Sequence, residues 1–165
     1  MMGAVSLIEA EFDGEDEILV NDSETWVETE FEVALDSGSV VHVCSAADAL
    51  GYKLEPSPGS KRGQKFIMGD GGRTANLGQK ALNLTDPSIG KENEIKSIFQ
   101  IAKVTRPLMS VGKICDEGMS VTFDKNVALV VDKGGRTVCK FERQAGGLYV
   151  AKLRLRAPAG FGRQE

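Results

Sequence analysis

The chain of 165 residues is poor in several things that would identify a protein quickly. It has one histidine and three cysteines, Cys44, Cys115 and Cys139, far apart and without a C-x-x-C spacing. That excludes a structural zinc site and a disulfide framework, and leaves reduced thiols in an intracellular, cytoplasmic protein as the expectation. No apolar run approaches the length of a membrane span, and no basic stretch followed by an apolar one opens the chain, so neither membrane nor secretory signal is expected. The net charge of -4 lacks the surplus of Lys and Arg that phosphate binding needs, which argues against nucleic acid as a partner. No Gly-Lys-Ser/Thr follows a glycine loop and no G-x-S-x-G elbow exists, so nothing points to nucleotide binding or a serine hydrolase, and no cofactor is implied. Internal repeats are absent.

What is present is glycine, 19 residues of it, between short apolar runs, a composition that favours turns and strands over long helices. Residues 1–24 are acidic and read as a mobile arm, with a short candidate strand at 18–20. From Trp26 onward Val27, Thr29, Phe31, Val33 and Leu35 alternate with Glu28, Glu30, Glu32 and Ala34, the period-two signature of a half-buried strand. The C-terminal end is basic (Lys152, Arg154, Arg156, Arg163), and acidic start and basic end are expected to be separately solvated.

The first strand runs into Asp36-Ser37-Gly38, a turn composition. A second strand is expected over 39–44, then a short helix opened by a capping box at Ser45 and Asp48 and stopped by Gly51. A loop at 56–63 precedes a hairpin with arms at 64–68 and 73–84 and a glycine-rich tip, Gly69 to Gly72. A strand at 95–104 stops before Pro107, and the spacing of Leu108, Val111, Ile114 and Cys115 predicts a helix over 108–117. Strands at 121–123 and 127–131 turn at Asp124, and a last hairpin joins 136–141 to 148–155. His42 reads as a half-buried strand residue, Cys44 and Cys115 as core thiols, and Trp26 as a packing anchor. Arg106 reads as a strand end or a contact to a partner. The sum is an all-β fold, mostly antiparallel, a small β-barrel with one or two short helices.

The stretch that carries chemistry is Val33-Ala34-Leu35-Asp36-Ser37-Gly38-Ser39. An apolar strand delivers one carboxylate to a glycine turn. Two carboxylates sharing a proton act as acid and base together and activate a water, whereas one alone is a poor catalyst of peptide hydrolysis. The other Asp-Gly pairs, at Asp13 and Asp70, lack the apolar lead-in, so a pair of acids takes two chains and a symmetric homodimer.

With Val33 to Ser39, the glycine-tipped hairpin at Gly69 to Gly72 and Arg106-Pro107-Leu108-Met109-Ser110-Val111-Gly112, the chain resembles the retropepsin-like aspartic proteases of retroelement polyproteins. The resemblance covers about residues 26–131; more faintly, Arg143 to Val150 resembles sequence that follows the protease in copia-like polyproteins. It implies a protease domain at 25–131; the last hairpin is then a C-terminal extension at 132–156, and residues 157–165 read by themselves as a flexible tail. It also implies that Asp36 of each protomer is the catalytic acid and that Ser37 hydrogen-bonds across the dimer. Gly38 and position 40 would meet the substrate backbone, and Met68, Gly69, Asp70, Gly71 and Gly72 would close as a flap over a peptide or polyprotein substrate. Val111 and Gly112 would support the catalytic turn. Three positions depart from the family pattern: Val40 stands where an acid is common, Lys113 where an arginine is common, and Ser39 where alanine is common. The first two remove the usual ion pair. They motivate a second reading, an inactive peptide-binding or dimerisation module on the same fold; a third is a plain β-barrel interaction domain.

Overall fold

In the computed structural model, which describes residues 26–90 and 94–158, the alternating stretch forms one strand, β1 (Trp26–Asp36). The acidic arm at 1–24, its candidate strand and the end of the tail, 159–165, lie outside the described residues. Phe31, Val33 and Leu35 turn inward and are buried, while Glu28, Glu30 and Glu32 stay exposed, as period two requires. The main partner of β1 is β11 (Tyr149–Pro158), antiparallel, with Glu28 opposite Arg156, Glu30 opposite Arg154 and Glu32 opposite Lys152. The acidic and basic stretches expected to be solvated apart therefore meet, in part, as one cross-strand ladder. Opposite charges so placed contribute about 0.2–1 kcal/mol each, and Arg154 Nε reaches Glu28 Oε1 at 3.9 Å. Ala157 and Pro158, expected to belong to a flexible tail, instead pair with Val27 and Trp26.

Between these two strands the chain forms β2 (Val43–Cys44), a 3-10 turn (Ala46–Ala49), α1 (Pro58–Lys61), β3 (Lys65–Ile67), β4 (Arg73–Ala75) and β5 (Gly78–Thr85). It continues with β6 (Glu94–Ile101), β7 (Leu108–Ser110), α2 (Val111–Asp116), β8 (Ser120–Phe123), β9 (Val127–Val131) and β10 (Thr137–Arg143). Nine strands make one mixed sheet in the order β1-β7-β2-β6-β5-β11-β10-β9-β8, and β1 also pairs with β11. Most pairs are antiparallel, but β1–β7 and β2–β6 are parallel. β3 and β4 form a two-stranded sheet of their own. The fold is thus mostly β, a large mixed sheet with two short α-helices. No helix among the described residues is long and apolar enough to cross a membrane.

Four local expectations change, each for a visible reason. The second strand shrinks to Val43–Cys44, because Ser39 Oγ donates to Val41 O at 2.6 Å and the carbonyl of Ser39 is taken by Ser110 Oγ. Such side-chain bonds compete with a ladder. The capping box at Ser45 and Asp48 forms as expected but opens only a 3-10 turn. The returning arm of the hairpin breaks at Asn76, whose side chain takes the N–H of Gly78; Gly78 sits at φ 136°, and a Cβ there would lie 2.5 Å from Glu55 O. The predicted helix over 108–117 starts only at Val111, with Ser110 as its N-cap, since Leu108 to Ser110 are used as a strand beside β1.

The core is one cluster drawn from strands of the large sheet, the 3-10 turn and α2. Phe31 packs edge-on against Phe99 at 5.5 Å, and Leu82, Leu84, Phe141, Leu153 and Leu155 are fully enclosed with them. Cys44 and Cys139 are buried, but Cys115 is exposed: within α2 only Ile114 is fully buried and Val111 partly so, so the core reading of Cys115 is corrected.

Candidate functional site

Asp36 is the last residue of β1 and stands in parallel register opposite Ser110, with Ala34 opposite Leu108 and Leu35 opposite Met109. The stretches 33–39 and 106–112, more than sixty positions apart, are therefore neighbours. The Asp36 carboxylate is half-buried and is oriented by its own turn: Oδ1 accepts from Gly38 N at 2.8 Å, and Ser39 N donates to Asp36 O at 3.4 Å. A side chain at position 38 would crowd that oxygen, since a Cβ would lie 3.3 Å from it. Ser37 and Gly38 are exposed, and Val40 is 72% exposed.

Beneath the turn is a residue the sequence did not single out. Ser110 is fully buried and makes three bonds: its N–H donates to His42 Nδ1 at 2.9 Å, its hydroxyl donates to Ser39 O at 2.7 Å, and Lys113 N donates to that hydroxyl at 3.1 Å. One serine thus joins β1, the loop after Asp36, His42 and the start of α2. A serine four residues before Ile114, the buried residue of the helix, was the signal available. His42, expected to be half-buried, is 2% exposed and leans on Phe99 with ring centroids 5.2 Å apart. Burial, reinforced by the Lys113 ammonium, lowers its pKa from 6.5 to about 4, so the imidazole is neutral and its Nδ1 is free to accept. Val111 packs partly buried against the core, while Gly112 and Lys113 are exposed.

The glycine-tipped hairpin closes on itself. Met68 N donates to Gly72 O at 2.7 Å, Gly71 N to Met68 O at 2.9 Å, and Gly72 N to Asp70 Oδ1 at 2.8 Å. Met68 is half-buried and Gly69 to Gly72 are exposed. The root of the hairpin is firmer. Asn76 Nδ2 donates to Gln64 Oε1 and to Gln100 Oε1, both at 2.9 Å, and Gln100 N donates to His42 O at 2.8 Å. The Asp36 seat and the hairpin root therefore share the His42–Gln100 backbone contact.

Among the described residues no group of three or more His, Cys, Asp or Glu is placed to hold a metal ion. A groove of about 640 Å³ lies away from Asp36, between the N-terminal half of β1, the 3-10 turn and residues 105–107. Burial pushes the Cys44 thiol up to about 12 and raises Cys139 as well, so both are inert thiols.

Comparison with protein-family models, with curated proteins and with solved structures finds no match. Function is therefore argued from the site. One chain brings one carboxylate to the Asp36 turn; a proton-sharing pair of acids takes a second chain.

Proposed function

We propose that the chain is an aspartic endopeptidase of retropepsin type that acts as a homodimer, with Asp36 of each protomer activating a water between them. The observation that carries this reading is the parallel register of Asp36 and Ser110, which puts the Asp-Ser-Gly turn directly over the Leu108 to Gly112 stretch. Six strands, β1-β7-β2-β6-β5-β11, return to their start through the β1–β11 pairing, and we read that circuit as the retropepsin-like barrel. The hairpin of β3 and β4 is the flap: short, anchored at Asn76 and glycine-rich at its tip, it closes on an extended peptide and excludes water. Its substrate is a peptide or polyprotein, bound as a strand between flap and floor. We place the protein inside the cell, where its buried thiols stay reduced.

The test is cleavage of a mixed peptide library at about pH 4 to 7, where one acid of the pair holds a proton. Wild type, Asp36→Ala and wild type with pepstatin are compared. Cleavage by wild type alone supports the enzyme. The exposure of Val40, apolar where the family pattern has an acid, favours one rival, a dimeric peptide-binding module without activity. Dimers of wild type and Asp36→Ala that bind library peptides equally and cleave none establish that rival instead.

A further inference from the structure

A second surface lies along the outer edge of β1, away from the Asp36 turn. β11 covers one edge of β1 as far as Ala34. On the other edge β7 pairs only with Ala34, Leu35 and Asp36. Backbone N–H and C=O groups of alternate residues in a strand point to opposite edges. Ala34 N donates to Pro107 O at 3.1 Å, on the β7 side. Glu28, Glu30 and Glu32 share its parity, so their backbone groups aim at that same edge, where no strand among the described residues takes them. This stretch, roughly 20 Å at about 3.3 Å per residue, opens on the groove of about 640 Å³ whose far wall is Ala47, Asp48 and Leu50.

Two features of the groove state what fits it. Its walls expose apolar side chains on both sides, Val27 at 44% and Leu50 at 49%. Its charges are mostly acidic, Glu30, Glu32 and Asp48 against Arg106 near the Ala34 end. β11 shows the complement of β1 on the opposite edge: Lys152, Arg154 and Arg156 face the glutamates while Leu153 and Leu155 turn inward. We propose that the free edge of β1 docks an extended peptide partner that alternates basic and apolar residues, by strand addition. Backbone bonds to Glu28, Glu30 and Glu32 supply the pairing, and the glutamates and Leu50 read the side chains. The site does not depend on Asp36 or on the protease reading. Its rival is that the glutamate row only repels other strands and keeps the edge bare.

The probe is a fluorescent peptide of sequence Val-Ala-Lys-Leu-Arg-Leu-Arg, copied from residues 150–156, added to the full chain. Saturable binding is expected, weakened about tenfold by raising salt from about 0.05 to 0.5 M, because the glutamates are exposed. A control with glutamate in place of each Lys and Arg does not bind. At saturation, hydrogen exchange at the amides of Glu28, Glu30 and Glu32 slows at least about tenfold, while Thr29 and Phe31, already bonded to β11, do not change. Leu50→Asp weakens binding about tenfold without moving the urea midpoint. Absence of binding, or binding without protection of those three amides, overturns the proposal. So does finding the three amides already protected in the free full chain, since the chain itself would then cover the edge.

Discussion

His42 sets a lower limit on the pH at which the Asp36 seat holds together. Its Nδ1 is the acceptor for the N–H of Ser110, and Ser110 is the register partner of Asp36. Protonation turns that acceptor into a donor and sets two N–H groups against each other, with the Lys113 cation nearby. The folded-state pKa, about 4, is depressed below 6.5, so the neutral form is the one the fold favours. The stability this contributes is fully present above pH 6.5 and is lost progressively as pH falls to about 4. At about 1.4 kcal/mol per pH unit the loss is about 3 kcal/mol. With a urea slope of about 1.5 kcal/mol/M, the midpoint falls by about 2 M across the window. Asp124 and Asp132, whose carboxyls are held below 3.8 by backbone N–H donors, lose their contribution at lower pH, so they do not blur it. The assay is urea unfolding at several pH values for wild type and His42→Asn, whose Oδ1, two bonds from Cβ like Nδ1, accepts from Ser110 without titrating. Because His42 is the sole histidine, its imidazole resonance also gives its pKa directly. An imidazole titrating near 6.5, or a variant as acid-sensitive as wild type, shows that His42 does not set this limit.

Other substitutions probe the same support. Ser110→Ala removes the hydroxyl that caps α2 and holds Ser39 O, and is expected to cost about 1–3 kcal/mol by urea unfolding, with loss of any cleavage activity. Asn76→Ala frees the hairpin root from Gln100 and leaves the buried N–H of Gly78 without its acceptor, costing about 1–3 kcal/mol; faster proteolytic nicking between Met68 and Gly72 reports it. Leu153→Ala opens a cavity beside β1 and lowers stability by about 2–5 kcal/mol, which a thermal or urea melt reads.

How far the sequence could be read follows from the range of each interaction. β1 was legible because the alternation from Val27 to Leu35 is a local pattern, and so were the capping box at Ser45 and Asp48 and the turn at Asp124. The nearness of 33–39 and 106–112 came from resemblance; no local pattern carries it. The strand at Leu108 to Ser110 was hidden inside a helical spacing, since Leu108 and Met109 fit either period until their partner, β1, is known. The charge ladder of Glu28, Glu30 and Glu32 with Arg156, Arg154 and Lys152 was missed because each half alone looks like a solvated run. Period-two alternation in both, with opposite charges, was the unused signal. His42 and Lys80 gave no local sign of burial: the imidazole is held by Ser110, and Lys80 is kept inside by donating to Ala49 O at 3.0 Å.

A mixing experiment shows whether two Asp36 carboxylates share one site. Wild type is titrated with Asp36→Asn, which leaves the side chain's shape and its bond from Gly38 in place. If each site needs two Asp36 carboxylates, the cleavage rate per wild-type chain falls with the fraction of wild type, and an equal mixture of freely exchanging chains retains about a quarter of the rate measured when all chains, at the same total concentration, are wild type. An equal mixture that retains half shows each chain working alone and contradicts the shared site.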